Sequence, residues 1–197
     1  MPRANNRDAI LDAAETLIES QGVASVTTKA VAQQANLSEA AIYYHFDDKF
    51  DLVLAVIARH LPALQDVMRP LPRQAGTQTV SANLARAASA LAAFWHRLLP
   101  ALGPALADQA ATSRLRAFLS QQHLGPKRGV EAMTRYLEAE QALGRVVATA
   151  DPSAVATAIM GACQAIALEG RLEGRSRRWV EGQAAAITRA LVAGQLP

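Results

Sequence analysis

A chain of 197 residues, 51% hydrophobic and only 19% charged, is long and apolar enough to bury a sizeable core, which excludes a disordered, tail-like polymer. A single cysteine, Cys163, excludes an internal disulfide framework and suits a reducing compartment. The net charge of +3 is unevenly placed: residues 1–60 carry five basic against eight acidic side chains, net −3, so bulk electrostatics alone do not make the N-terminal part a nucleic-acid binder.

From Asn6 to Gln21 the residues Ile10, Ala13, Ala14, Leu17 and Ile18 recur at helical spacing, with Asp8, Asp12, Glu15 and Glu19 on the opposite face. Gly22 stands where a helix ends on a left-handed residue. Thr27 is placed to cap a short second helix, Thr28 to Ala35, that buries Val31. Asn36 tolerates positive φ, Leu37 must turn inward and Ser38 can cap a third helix reaching about Phe46. The pair Asp47-Asp48 then sits where it caps a fourth, from Lys49 to about Met68, burying Phe50, Leu52, Val53, Val56 and Ile57.

"RPLPRQAGT", Arg69 to Thr77, is the clearest break in the chain, and it suggests one domain over residues 1–60 and another over 61–197. Beyond it Val80, Leu84, Ala87, Leu91, Phe94 and Leu98 mark a long amphipathic helix, whose end Pro100 and Pro104 are expected to interrupt. Helices follow at about Asp108 to His123 and Pro126 to Leu143. Asp151 or Ser153 can cap a further helix with Pro152 near its first position.

The run Ala154 to Leu168 is apolar on nearly every face, though Thr157 and Gln164 interrupt it and it falls short of the roughly 20 residues a membrane span needs. With "MPRANNRDAIL" lacking a signal-peptide core, we expect a cytoplasmic protein with no membrane partner. The last helix, about Arg177 to Ala193, repeats the apolar step at Val180, Ala184, Ile187 and Leu191. Together these two helices suggest a homodimer interface, with Val155, Ile159, Ile166, Val180, Ile187 and Leu191 as its candidates. Trp95, His123, Met133, Tyr136, Met160, Cys163 and Gln164 are candidates for lining a ligand cavity, although ordinary core is the simpler reading of each one singly. His96 falls off the apolar stripe that holds Phe94.

The densest aromatic cluster is Tyr43 to Phe46, within two short helices joined by a tight turn over about residues 27–46, a helix-turn-helix arrangement. On the second helix Ile42 and Phe46 face inward, which leaves Glu39, Ala40, Tyr43 and Tyr44 turned outward. An anion such as Glu39 is repelled by phosphate unless it accepts a hydrogen bond from a cytosine amino group, so it can select sequence rather than strengthen binding.

The segment "TTKAVAQQANLSEAAIYYHFDDKFDL" resembles the DNA-binding segment of the tetracycline-repressor (TetR) family of bacterial regulators, and "LGRVVATADPSAVA" more loosely resembles that family's approach to its dimerisation helices. The resemblance implies an all-α fold: an N-terminal three-helix helix-turn-helix DNA-binding domain and a C-terminal helical ligand-binding and dimerisation domain. It implies a sequence-specific regulator, a repressor released from double-stranded operator DNA by a small, largely apolar effector. By position, Thr27, Thr28 and Lys29 would meet phosphates, as would Lys49, while Tyr43 and His45 would touch phosphate or base edges. Glu39, Ala40, Ala41 and Tyr44 would face the groove where base choice is set, and the capping Ser38 would belong to the same DNA-binding set. Asn36 departs from the family's usual Gly, Ala40 from a frequent Gly or Pro, and Phe50 from a common Glu. No cofactor or metal is expected, and without a phosphate loop, a paired nucleophile or spaced ligands the chain does not read as an enzyme. A helical protein-interaction module without DNA binding, and less so a small helical enzyme, are the alternative functions.

Overall fold

Helical periodicity is borne out along the chain. The computed structural model describes residues 3–122 and 125–197, with backbone alone for residues 3–5, 24, 101, 103–107 and 126. Among the described residues there are ten α-helices and no strand: α1 (Arg3–Gln21), α2 (Thr28–Gln34), α3 (Glu39–His45), α4 (Lys49–Arg59), α5 (Leu61–Met68), α6 (Val80–Ala107), α7 (Gln109–Gln121), α8 (Pro126–Ala142), α9 (Pro152–Leu172) and α10 (Arg177–Ala193). The chain forms two compact units, one of Met1–His60 with Pro100–Phe118, the other of Leu61–Leu99 with Leu119–Pro197. Residues 100–118 thus join the N-terminal unit, which a division at residue 60 alone does not capture.

In the N-terminal unit α1 lays Ile10, Leu11 and Ala14 against Val31 of α2, Ile42 of α3 and Leu52 of α4, all essentially inaccessible to solvent. Side-chain caps start three of these helices. Thr27 Oγ1 accepts from Ala30 N at 3.0 Å, Ser38 Oγ from Ala41 N at 3.3 Å and Asp48 Oδ1 from Asp51 N at 2.8 Å. Asn36 takes φ 55° in the turn between α2 and α3, the left-handed conformation that asparagine tolerates best after glycine.

Three expectations need correction here. The fourth helix does not run to Met68: it ends at Arg59, and α5 begins at Leu61. Pro62 explains the break, because its ring would strike the carbonyl four residues earlier and it has no N–H to donate there. Phe50 is half-buried rather than core, its ring covered by the Arg114 guanidinium 5.1 Å from the ring centre. Conversely, Pro100 and Pro104 do not stop α6, which continues to Ala107. Pro100 leaves the His96 carbonyl without its helical donor, and Arg171 Nε supplies one at 2.6 Å from another helix.

The second unit is built on α6, which buries Val80, Leu84, Ala87, Leu91, Phe94 and Leu98, and on the packing of α8 with α9 and of α9 with α10. Helix α9 is long and apolar enough, by length and composition, to cross a membrane. Its Ala156, Ile159, Met160, Cys163, Ile166 and Ala167 are instead buried within the unit. At Gly170 the helices α9 and α10 approach so closely that a Cβ would lie 2.5 Å from Val180 Cγ2. The chain's own α8 and α10 therefore cover a stripe that the sequence assigned to a partner. Ile159, Ile166 and Val180 are core residues of the protomer, Val155 is half-buried, and only Ile187 and Leu191 of the expected interface set are exposed, alongside Leu168 and Leu172.

Two buried polar features lie within this unit. Glu140, wholly buried, accepts from Gly76 N at 3.2 Å and pairs with Arg145 Nε at 3.2 Å. Beside it the buried Tyr136 hydroxyl accepts from Asn83 Nδ2 at 3.1 Å, and burial, reinforced by Glu140, raises the phenol's pKa above its usual range. The second feature is His96, which is buried at 9% exposure rather than lying off the packed face. Burial, and after it the Arg171 and Arg97 cations, lowers its pKa to about 4.

That shift carries a sign. The unfolded chain binds a proton at this imidazole below about pH 6.5 and the folded chain only below about pH 4, so the stability involved is complete above the higher value and lost as pH falls toward the lower. At pH 5 the expected loss is about 2 kcal/mol relative to pH 7.5. Urea melts at the two pH values should therefore show a smaller acid loss in His96→Gln than in the parent chain; equal losses would assign the acid sensitivity elsewhere.

Candidate nucleic-acid interface and ligand cavity

Helix α3 is short because Ser38 starts it and Phe46 leaves it in an extended conformation, φ −141°. Ile42 and Phe46 anchor it in the core, and Arg7 of α1 sits over the Phe46 ring at 5.4 Å. With its inner face fixed, α3 turns Tyr43 and Tyr44 to solvent at 58% and 66% exposure, together with Glu39 and Ala40. His45 is half-buried and meets the Tyr44 ring edge-on at 5.0 Å between centres.

The N-terminus of α2 joins this face. Thr28 Oγ1 donates to Glu39 Oε2 at 3.1 Å and lies 3.4 Å from the Tyr43 hydroxyl. Thr28, Glu39 and Tyr43 are thus brought together, and the bond to Thr28 holds one carboxylate oxygen of Glu39. Thr27 and Lys29 are exposed beside them, while Ala41 is half-buried. A short exposed helix backed by a capped first helix is the arrangement of a helix-turn-helix unit.

Lys49 is exposed at the first turn of α4, next to its cap Asp48. Asp48 does a second job: Arg114 of α7 donates to both its carboxylate oxygens, at 2.5 and 3.1 Å. That hydrogen-bonded guanidinium, opposed by partial burial, holds the Asp48 carboxyl below its usual pKa range. Sequence reasoning missed both Arg7 and Arg114, which act by covering aromatic rings and a carboxylate far away in sequence.

Within the second unit lies a cavity of about 540 Å³. Its apolar lining comes from Leu64 and Met68 of α5, Leu91, Phe94 and Leu98 of α6, and Met160 of α9. Of the residues proposed from sequence, Trp95 and Met160 line it. Met133, Tyr136 and Cys163 do not; they are wholly buried core, the Cys163 thiol donating to Ala88 O at 3.4 Å with burial pushing its pKa up to about 12. Gln164 is half-buried on α9 outside the cavity lining, and His123 lies outside the described residues. No group of three or more His, Cys, Asp or Glu placed to hold a metal ion occurs among the described residues.

These features define an all-α helix-turn-helix protein with a cavity in its second unit. The family model described as "Bacterial regulatory proteins, tetR family" matches residues 10–56, the helix-turn-helix segment. Over 51 residues it is 45% identical to YvkB, an uncharacterized HTH-type transcriptional regulator of Bacillus subtilis, a match covering 26% of this chain and 27% of that one. Over 127 residues it is 29% identical to an uncharacterized HTH-type regulator of Mycobacterium tuberculosis, covering 60% and 63%. The matches thus span less than two thirds of the length of these curated relatives. The fold matches the complex of SmeT with triclosan, with a TM-score of 0.67 at 20% identity over 98% of this chain and 92% of that one.

Proposed function

We propose that the protein is a homodimeric transcriptional regulator, a repressor, that inserts α3 into the major groove of each half of a near-palindromic operator and is released when an effector occupies the cavity. The observation that carries this reading is the α3 face, on which Thr28, Glu39 and Tyr43 interlock while Ile42 and Phe46 fix the helix behind them. Thr27, Lys29, His45 and Lys49 surround that face and supply phosphate contacts; Ala40, Ala41 and Tyr44 set base preference. The free oxygen of Glu39 can accept from a cytosine amino group, so Glu39 restricts the operator rather than strengthening binding.

Release follows from differential affinity: an effector lowers DNA affinity only by favouring a conformer whose paired α3 helices no longer match the half-site spacing. Helix α7 is suited to carry that shift along the chain, since Leu119 lines the cavity and Arg114 holds the α4 cap. That SmeT, a protein of the same fold, forms a complex with triclosan supports a small-molecule effector.

For the dimer, the outer faces of α9 and α10 expose Leu168, Leu172, Ile187 and Leu191, which a second copy would cover in a two-fold contact. The test is selection of an operator from random duplex DNA, followed by gel shift and light scattering. We expect a dimer bound to a two-fold sequence, and Ile187→Glu with Leu191→Glu to yield a folded monomer whose operator affinity falls at least tenfold. A pool that yields no enriched sequence at low salt would leave the interaction module as the better description.

A further inference from the structure

The cavity's lining holds a charge pattern that an apolar effector does not require. Arg69 and Arg73, from the segment closing α5, and Arg128 and Arg135 on α8 all line it, and all four are exposed at its opening. One acid, Glu131, stands among them. Its carboxylate is drawn toward Lys127 at 3.9 Å, and its backbone carbonyl accepts from Arg135 Nε at 3.3 Å. Among the described residues none of the four arginines forms an ion pair, whereas Arg59, Arg114, Arg145, Arg175 and Arg177 elsewhere in the chain each form at least one.

Four unneutralised guanidiniums around one opening repel one another and favour an anion there, the more so where the apolar floor lowers the local dielectric. A guanidinium's planar fork matches a carboxylate or a sulfate in two parallel hydrogen bonds. The floor of Leu64, Met68, Leu91, Phe94 and Met160 offers nothing but apolar contact, so it takes a hydrocarbon body. We infer that the ligand of this cavity is an amphipathic anion: a hydrocarbon chain or ring system held by the floor, with one terminal anionic group at the four arginines. A cationic amphiphile is disfavoured by the same field. Its role as the effector rests on the function proposed above; the ligand class rests on the cavity alone.

The probes are four amphiphiles of one chain length, decanoate, decyl sulfate, decanol and decylammonium, titrated below their aggregation concentrations into the full chain. Binding is read by calorimetry and by Trp95 fluorescence in a Trp179→Phe background. Decanoate and decyl sulfate should bind at least tenfold more tightly than decanol, and decylammonium more weakly than decanol. Arg128→Glu with Arg135→Glu should erase the anion preference while keeping decanol affinity within threefold; the milder pair Arg128→Gln with Arg135→Gln, checked by circular dichroism, guards against a folding defect. Equal affinity for all four probes, no binding of any, or an anion preference that survives both pairs of substitutions overturns the inference. Anion-selective binding that leaves a selected operator complex intact upholds the ligand class and removes only the release mechanism.

Discussion

Replacing Tyr43 and Lys49 together with alanine is expected to lower operator affinity on the order of 100- to 1000-fold while leaving the fold and the dimer in place. In the proposed dimer each side chain would act twice per operator, once in each protomer, and single phosphate or base contacts are worth roughly 1 kcal/mol or more, with each 1.4 kcal/mol a factor of ten. Neither residue carries core packing: Tyr43 is 58% exposed and Lys49 lies on the outer side of the first turn of α4. Exposed substitutions of this kind change stability by about 0.5 kcal/mol or less. Gel shifts over a series of salt concentrations separate the two roles. Lys49→Ala should flatten the salt dependence, because one fewer phosphate per protomer is neutralised, whereas Tyr43→Ala should weaken binding with little change in slope. Unchanged affinity in the double variant would remove α3 as the reading element.

The helix-turn-helix itself was legible in the sequence because it is local. Thr27, Ser38, Asp48 and Asp151 announce helix starts through side chains that bond their own backbone within three residues, and all four do so. Asn36 marks the turn for a reason contained in one residue's φ. What was missed depends on partners remote in sequence. Helix α6 outlasts Pro100 because Arg171, 75 residues on from His96, supplies the missing donor. Phe50 is half-covered by an arginine from α7, and Ile159, Ile166 and Val180 look like interface only until α8 and α10 of the same chain are placed over them. A cavity is harder still to foresee: periodicity says which face of a helix is apolar, not where facing helices fail to meet, so Leu91 and Phe94 read as core while in fact lining a void.

The largest stability effect is expected at Arg145, not at the more deeply buried Glu140 it pairs with. Arg145 is 31% exposed, so a chain lacking Glu140 leaves behind a cation that water can still reach. Removing Arg145 instead strands a wholly buried carboxylate, with the Gly76 amide as the donor to its Oε2. Breaking a buried pair from that side costs about 3 to 5 kcal/mol, because the remaining charge must stay desolvated or take up a proton. Arg145 also donates to the Gln78 carbonyl, where the chain holds the rare non-glycine φ of 51°, so its loss loosens the turn that leads into α6. Arg145→Ala should therefore lower the melting temperature by about 10 °C for a chain of this size, and Glu140→Gln, which keeps an acceptor for Gly76, by clearly less. Combining Arg145→Ala with Glu140→Leu should restore part of the loss, since an apolar side chain removes the stranded charge; a double variant no more stable than Arg145→Ala would show that the pair acts through the turn rather than through its buried charge.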